Sequence, residues 1–171
     1  MSLTPRPWRT PGFAQVLLFS ALFVALHWVY TQARGGVIER WWIETVTVGT
    51  SVALIDRLSP DEQVLAIGES VVSPHARLSV RNGCEGTESL FLLIAAMAVS
   101  PLRWWRRVQG ALLGAALIVA LNELRVVSLY YVFRHHKRLF DPLHAYIAPL
   151  AIILIAAVYF MWWVGRGRAS P

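Results

Sequence analysis

The chain has 171 residues, of which 56% are hydrophobic and only 15% charged, a balance that excludes an ordinary soluble domain and points to an integral membrane protein. Its formal charge of +6, from 16 Lys and Arg against 10 Asp and Glu, reads as basic span flanks facing anionic membrane lipids, and nucleic acid is not expected as a partner. A single cysteine excludes an intrachain disulfide and leaves Cys84 either as packing or as a nucleophile.

The first apolar stretch, residues 13–30, follows Arg6 and Arg9 and precedes Thr31-Gln32-Ala33, as a secretory leader would. Its apolar run is longer than the roughly 7–15 residues of a leader's core, so a retained anchor is expected. Residues 34–83 form the one sizeable extramembrane segment. Within it, Val37, Ile38, Trp41, Trp42, Thr45, Val48, Val52 and Ile55 recur at helical spacing, with Glu39, Arg40 and Glu44 elsewhere, predicting a helix over 37–58 that lies in the membrane interface. Residues 64–72 and 77–81 are rich in β-formers. Leu78 and Val80 alternate with Arg77, Ser79 and Arg81 after Ser73-Pro74-His75-Ala76, which predicts a small β-hairpin.

Asn82-Gly83 fits a tight turn into a second span at 84–100. Its uninterrupted apolar run covers only residues 90–99, too short to cross alone, but a helix from Cys84 to Pro101 reaches about 27 Å. Cys84 is then expected in the first helical turn, at the membrane surface. The third span, 108–133, carries Asn122, Glu123 and Arg125 in its apolar run. A charge in a bilayer costs roughly 2.5 kcal/mol or more, so a mid-span arginine is a functional candidate and Glu123 needs a partner, expected to be a basic side chain. The fourth span, 144–164, has a start signal in Asp141 as N-cap and Pro142 at the first helical position, which puts His144 in the first turn. Trp28, Trp41-Trp42, Trp104-Trp105 and Trp162-Trp163 mark span ends as an aromatic belt.

Four spans put both termini on one side and segments 34–83 and 134–143 on the other. Cys84 and His144 then start their spans at one surface, while Arg125 lies about 12 Å deeper by helix rise and reaches up by snorkelling. The three side chains describe acyl transfer. A thiol near a helix N-terminus or a cation ionises more readily, an imidazole serves as general acid or base, and a guanidinium holds the scissile carbonyl or its oxyanion. Arg6, Arg9, Arg103, Arg106, Arg107, Arg166 and Arg168 flank one side and about as many basic residues the other, so charge alone does not orient the chain.

Three local motifs carry a resemblance. Asn82-Gly83-Cys84-Glu85-Gly86, Asn122-Glu123-Leu124-Arg125 and Asp141-Pro142-Leu143-His144 resemble, in order and spacing over residues 80–164, the cysteine, arginine and histidine motifs of the exosortase and archaeosortase family. The resemblance implies an all-α membrane protein with an extracytoplasmic segment at 34–83, in one domain over residues 1–171. It also implies a bacterial inner-membrane location with the active site facing outward. Cys84, Arg125 and His144 would be catalytic in cleaving C-terminal sorting tails of the PEP-CTERM kind from secreted proteins and transferring them to an acceptor such as a lipid or glycan. Many members have more spans, so a chain with room for four resembles the compact exosortase H type, and Glu85 stands where Asn is common.

Asn122, Glu85 and Arg81 are the candidate substrate contacts. Glu85 and Glu88 near a helix start also suit its dipole, and Arg77 reads as a solvated hairpin charge. His135 and His136 with His144 match no metal-binding pattern; His27 and His75 read as interfacial and turn residues, and no cofactor or metal is expected. The rival reading is a non-catalytic membrane assembly factor or lipid-binding scaffold, in which Arg125 pairs with Glu123 and Cys84 is inert.

Overall fold

The computed structural model describes residues 12–80 and 84–169; Arg81 and the expected Asn82-Gly83 turn lie outside the described residues. Helix α1 (Phe13–Gln32) buries none of its residues and touches the rest of the fold mainly through α4, where Tyr30 meets Phe91 edge-on at 5.6 Å.

The helix expected at 37–58 forms, but in three registers: α2 (Val37–Arg40), a π-helical stretch Trp41–Gly49, and α3 (Thr50–Leu58). The π stretch holds the β-branched run Thr45-Val46-Thr47-Val48, poor in helix propensity, and the Thr47 hydroxyl follows its wider spacing by donating to Trp42 O at 3.2 Å. This widening moves the inward face. Ile43, Thr47, Val48, Ser51 and Ile55 are buried, whereas Val37, Ile38, Trp41 and Thr45, expected on the apolar face, are exposed. A face drawn at 3.6 residues per turn drifts off target across a π segment.

The expected hairpin is a three-stranded antiparallel meander of β1 (Leu65–Ile67), β2 (Ser70–Val72) and β3 (Arg77–Ser79) in that spatial order. The stretch read as one strand folds on itself because Gly68, with φ of +55, turns the chain between β1 and β2. The 73–76 turn is where it was expected, closed by Ser73 Oγ accepting from the His75 and Ala76 amides at 3.2 and 3.0 Å. Leu78 and Val80 point inward while Arg77 and Ser79 are exposed.

Helix α4 (Thr87–Val99) is followed by α5 (Trp104–His135), α6 (Lys137–Pro142), a π turn Leu143–Ile147 and α7 (Ala148–Ala169). Three helical stretches, Phe13–Gln32, Trp104–His135 and Lys137–Gly167, are long and apolar enough to cross a membrane. With 13 residues, α4 spans about 20 Å against a hydrocarbon core of about 30 Å. Its helix starts three residues later than expected, so Cys84 precedes the first turn. The fourth helical stretch starts seven residues before His144, at Lys137, with Asp141 and Pro142 inside it.

Two cores meet on α5. Leu93, Met97, Ile118, Ile152 and Ala156 pack α4, α5 and α7 into a bundle. There α7 approaches α5 over Gly110 and Gly114. A methyl group at Gly114 would strike Leu93 and lie 2.7 Å from Tyr159, and one at Gly110 would strike the Trp163 indole. Small residues four apart permit this approach, and Tyr159 and Trp163 donate to the Gly110 and Arg106 carbonyls at 2.8 and 3.1 Å. The second core gathers Ile43, Val48, Ile55, Val71, Leu78 and Val80 of segment 34–80 onto Val126, Leu129 and Tyr130. At 32 residues, α5 is about 48 Å long, well beyond a hydrocarbon core, and the excess is wrapped by this cap. Buried Tyr130 bonds Glu62 Oε2 and Ser73 Oγ, both at 2.8 Å, and Arg134 pairs with Glu62.

Gly114→Leu is expected to overpack the α5–α7 contact by about 1–3 kcal/mol and lower the thermal midpoint of the detergent-solubilised protein by several degrees. Ala116→Leu, on an exposed face of the same helix, should leave the melting curve unchanged.

Candidate active site

Cys84, Arg125 and His144 meet where the two cores join. Cys84 Sγ lies 3.1 Å from His144 Nδ1 and 3.8 Å from Nε2. Arg125 Nη2 reaches to 3.7 Å from the sulfur and donates to the His144 carbonyl at 3.1 Å. Cys84 is 5% exposed and Arg125 8%. Arg125 belongs to the stretch of α5 where the cap begins, and Val126 and Val127 beside it already pack against cap residues.

His144 is set by local backbone chemistry. It sits in the π turn Leu143–Ile147, whose register gives the Ala148 amide to Leu143 O. In that register the donor to His144 O would be residue 149, which is a proline without an N–H. The carbonyl so released accepts from Arg125, and one proline thereby creates the acceptor that orients the guanidinium. The ring is fixed from its face, since Phe140 stacks on the imidazole at 5.3 Å with planes 6° apart, and Phe133 meets Phe140 edge-on at 5.3 Å.

The cysteine loop is held from the cap and from α1. The Trp42 indole, in the other π stretch, donates to Glu85 O at 3.1 Å, and the Tyr30 hydroxyl reaches Glu85 Oε1 at 3.5 Å. Gly86 has φ of +74 and lies so close to Asn122 that an added Cβ would stand 2.9 Å from Asn122 Cγ. Only glycine suits both constraints. Asn122 is buried, and its Oδ1 has no hydrogen-bond partner among the described residues. Burial pushes the Cys84 thiol pKa up, the Arg125 guanidinium opposes that shift, and the Glu85 carboxylate adds to it.

As chemistry, the arrangement is a thiol in hydrogen-bond reach of an imidazole, with a guanidinium touching the sulfur and the imidazole's backbone. An unprotonated Nδ1 accepts the thiol hydrogen directly, and the arginine stabilises either the thiolate or a negative oxygen formed beside it. The three residues expected to converge do so. Of the expected substrate contacts, Glu85 and Asn122 border one crevice beside the loop, too narrow to admit a water, with Trp42, Thr47 and Glu123, and Arg81 lies outside the described residues. Glu123 finds a hydroxyl in place of a base: Ser51 Oγ donates to its Oε2 at 2.7 Å. Glu123 and Arg125 are two positions apart on α5, about 200° around the helix, so they do not pair as the scaffold reading required. His135 and His136 are exposed at the α5–α6 junction.

Phe140, Pro149, Trp42 and Tyr30 support the site, although none of them was expected there from the sequence. Pro149 had a readable signal, five positions after a candidate histidine at a helix start. Trp42 had none, because its partner lies 43 residues away.

Residues 3–162 match the family model for transmembrane exosortases. No curated protein and no solved structure gives a significant match to the chain.

The thiol's surroundings yield a paired prediction for alkylation by iodoacetamide followed against pH. Arg125→Met removes the opposing cation and should slow labelling near neutral pH and move its midpoint upward; Glu85→Gln should speed labelling and move the midpoint down. Shifts of the reverse sign would contradict the electrostatic account.

Proposed function

The chain belongs to the transmembrane exosortase family, and from that premise we propose that it is a membrane-embedded cysteine protease and transpeptidase. In this reading it cleaves C-terminal sorting tails of the PEP-CTERM kind from secreted proteins. The observation that carries the reading is the 3.1 Å approach of Cys84 Sγ to His144 Nδ1 with Arg125 Nη2 at 3.7 Å from the same sulfur. Cys84 attacks the scissile carbonyl while its proton passes to His144. The oxyanion is held by Arg125, and collapse breaks the C–N bond as His144 returns the proton to the leaving amine. The thioester left on Cys84 is resolved by an acceptor nucleophile, a lipid or glycan group or water, which regenerates the thiol. No cofactor enters this sequence.

Asn122, whose buried Oδ1 has no hydrogen-bond partner among the described residues, and Glu85 beside it contact the substrate backbone in this reading, and Arg81, three residues before the cysteine, is the third contact. The whole chain acts as one domain with α4 as a fourth, short crossing, which sets the cap and the site on the outer face of a bacterial inner membrane. Packing of α4 against α1, α5 and α7 supports its lying within the bundle despite its length.

Cys84→Ala is expected to abolish tail processing of a co-expressed tailed protein while membrane abundance stays at the wild-type level, read by mass analysis of the new C-terminus. Normal processing by that variant would sink the enzyme reading and leave the scaffold role.

A further inference from the structure

Arg125 also lines a second cavity, of about 250 Å³, that neither Cys84 nor His144 borders. Its apolar wall is Phe23 of α1, Leu92 of α4 and Ile153 of α7, and its polar end is Thr87, Glu88 and Arg125. Phe23 lies at the middle of α1 and Leu92 at the middle of α4. The cavity therefore runs from the level of the cysteine loop into the depth of the bundle.

The flanking helices present apolar side chains outward. α1 buries nothing, and Leu150 and Leu154 of α7 are more than half exposed. An occupant arriving between such surfaces comes through the bilayer and brings an apolar group. Two classes of molecule satisfy that requirement, the acyl chain of a lipid and a side chain of a membrane-entering polypeptide. Arg125 separates them, because the cavity shares this residue with the Cys84 sulfur. In the protease reading Arg125 holds the scissile carbonyl, so the residue next to that carbonyl in a tail polypeptide stands at the polar end of the cavity, whereas an acyl chain brings no such carbonyl to the guanidinium.

We propose that the cavity between α1, α4 and α7 is a specificity subsite, taking an apolar side chain on the leaving side of the scissile bond where the substrate polypeptide enters the bilayer. The proposal rests on the protease reading above. It adds that selection among tails depends in part on the size of one membrane-level residue. The volume suits one large side chain or two small ones, so shape complementarity sets the preference.

The test uses the full chain in vesicles of phosphatidylethanolamine and phosphatidylglycerol, with a tailed secreted protein that the wild type cleaves. Leu92→Trp and Ile153→Trp fill the cavity, and Leu150→Trp, on the exposed face of α7 outside it, is the control. The filled variants should lose about tenfold or more in kcat/KM, with alkylation of Cys84 by iodoacetamide and the control's cleavage unchanged. Shortening the substrate's first large apolar residues after the cleavage point to Ala should restore cleavage by Leu92→Trp. Wild-type cleavage by the filled variants, or no rescue by the shortened substrate, overturns the subsite.

A second arm puts a benzophenone amino acid at position 153 in the Cys84→Ala chain. A photoadduct with the mass of the tailed protein supports the proposal, and an adduct with phospholipid alone overturns it in favour of an acyl-chain site. Cleavage retained by Cys84→Ala refutes the protease reading by itself, whereas loss of cleavage together with a lipid-only adduct refutes only the subsite.

Discussion

A buried guanidinium is costly to desolvate and keeps its charge, so its surroundings must supply acceptors. Around Arg125 those include a sulfur and a backbone carbonyl from two other parts of the chain. That requirement ties the loop before α4 and the turn before α7 to α5. The carbonyl is open to Arg125 because Pro149 contributes no competing amide in the π register. Backbone chemistry on one helix thus sets the side-chain geometry of another.

The second organising feature is the length of α5. A helix well longer than the hydrocarbon core gives the bundle and the cap one continuous rod, and each builds its own core on a different part of it. Glycines serve the bundle part, where α7 must come close. Tyr130 and Arg134 serve the cap part, where Glu62 is the shared partner and an unpaired buried carboxylate would be expensive. The reactive groups lie at the junction, shielded by the cap yet level with the ends of the apolar helices.

Two π-helical stretches border the site, one carrying Trp42 to the cysteine loop and the other carrying His144 to the sulfur. Such segments cost regular hydrogen bonding and are frequent at functional positions. In the first, β-branched residues weaken the α register. In the second, Pro142 and Pro149 bracket the turn and remove donors on both sides of it. Side chains are re-aimed by the change of register, which is why the inward face of 37–58 differs from the one its apolar spacing suggested.

Much of this was legible in the residues alone. Long apolar runs can satisfy their backbone in lipid only as helices, so the spans at 13–30, 108–133 and 144–164 followed from composition, as did the expense of Arg125 inside one of them. Alternation marked β3, and motif order joined Cys84, Arg125 and His144 as candidates for one site. What the chain order left open was decided by contacts distant in sequence. The hairpin became three strands at Gly68, α4 started after Cys84 because Gly86 adopts a left-handed conformation against Asn122, and Glu123 turned to Ser51 because 200° of helix separates it from Arg125. Apolar periodicity is a local property and was readable locally. The aim of a thiol at an imidazole, and the cavity beyond the arginine, are properties of packing between helices, and only the tertiary structure sets them.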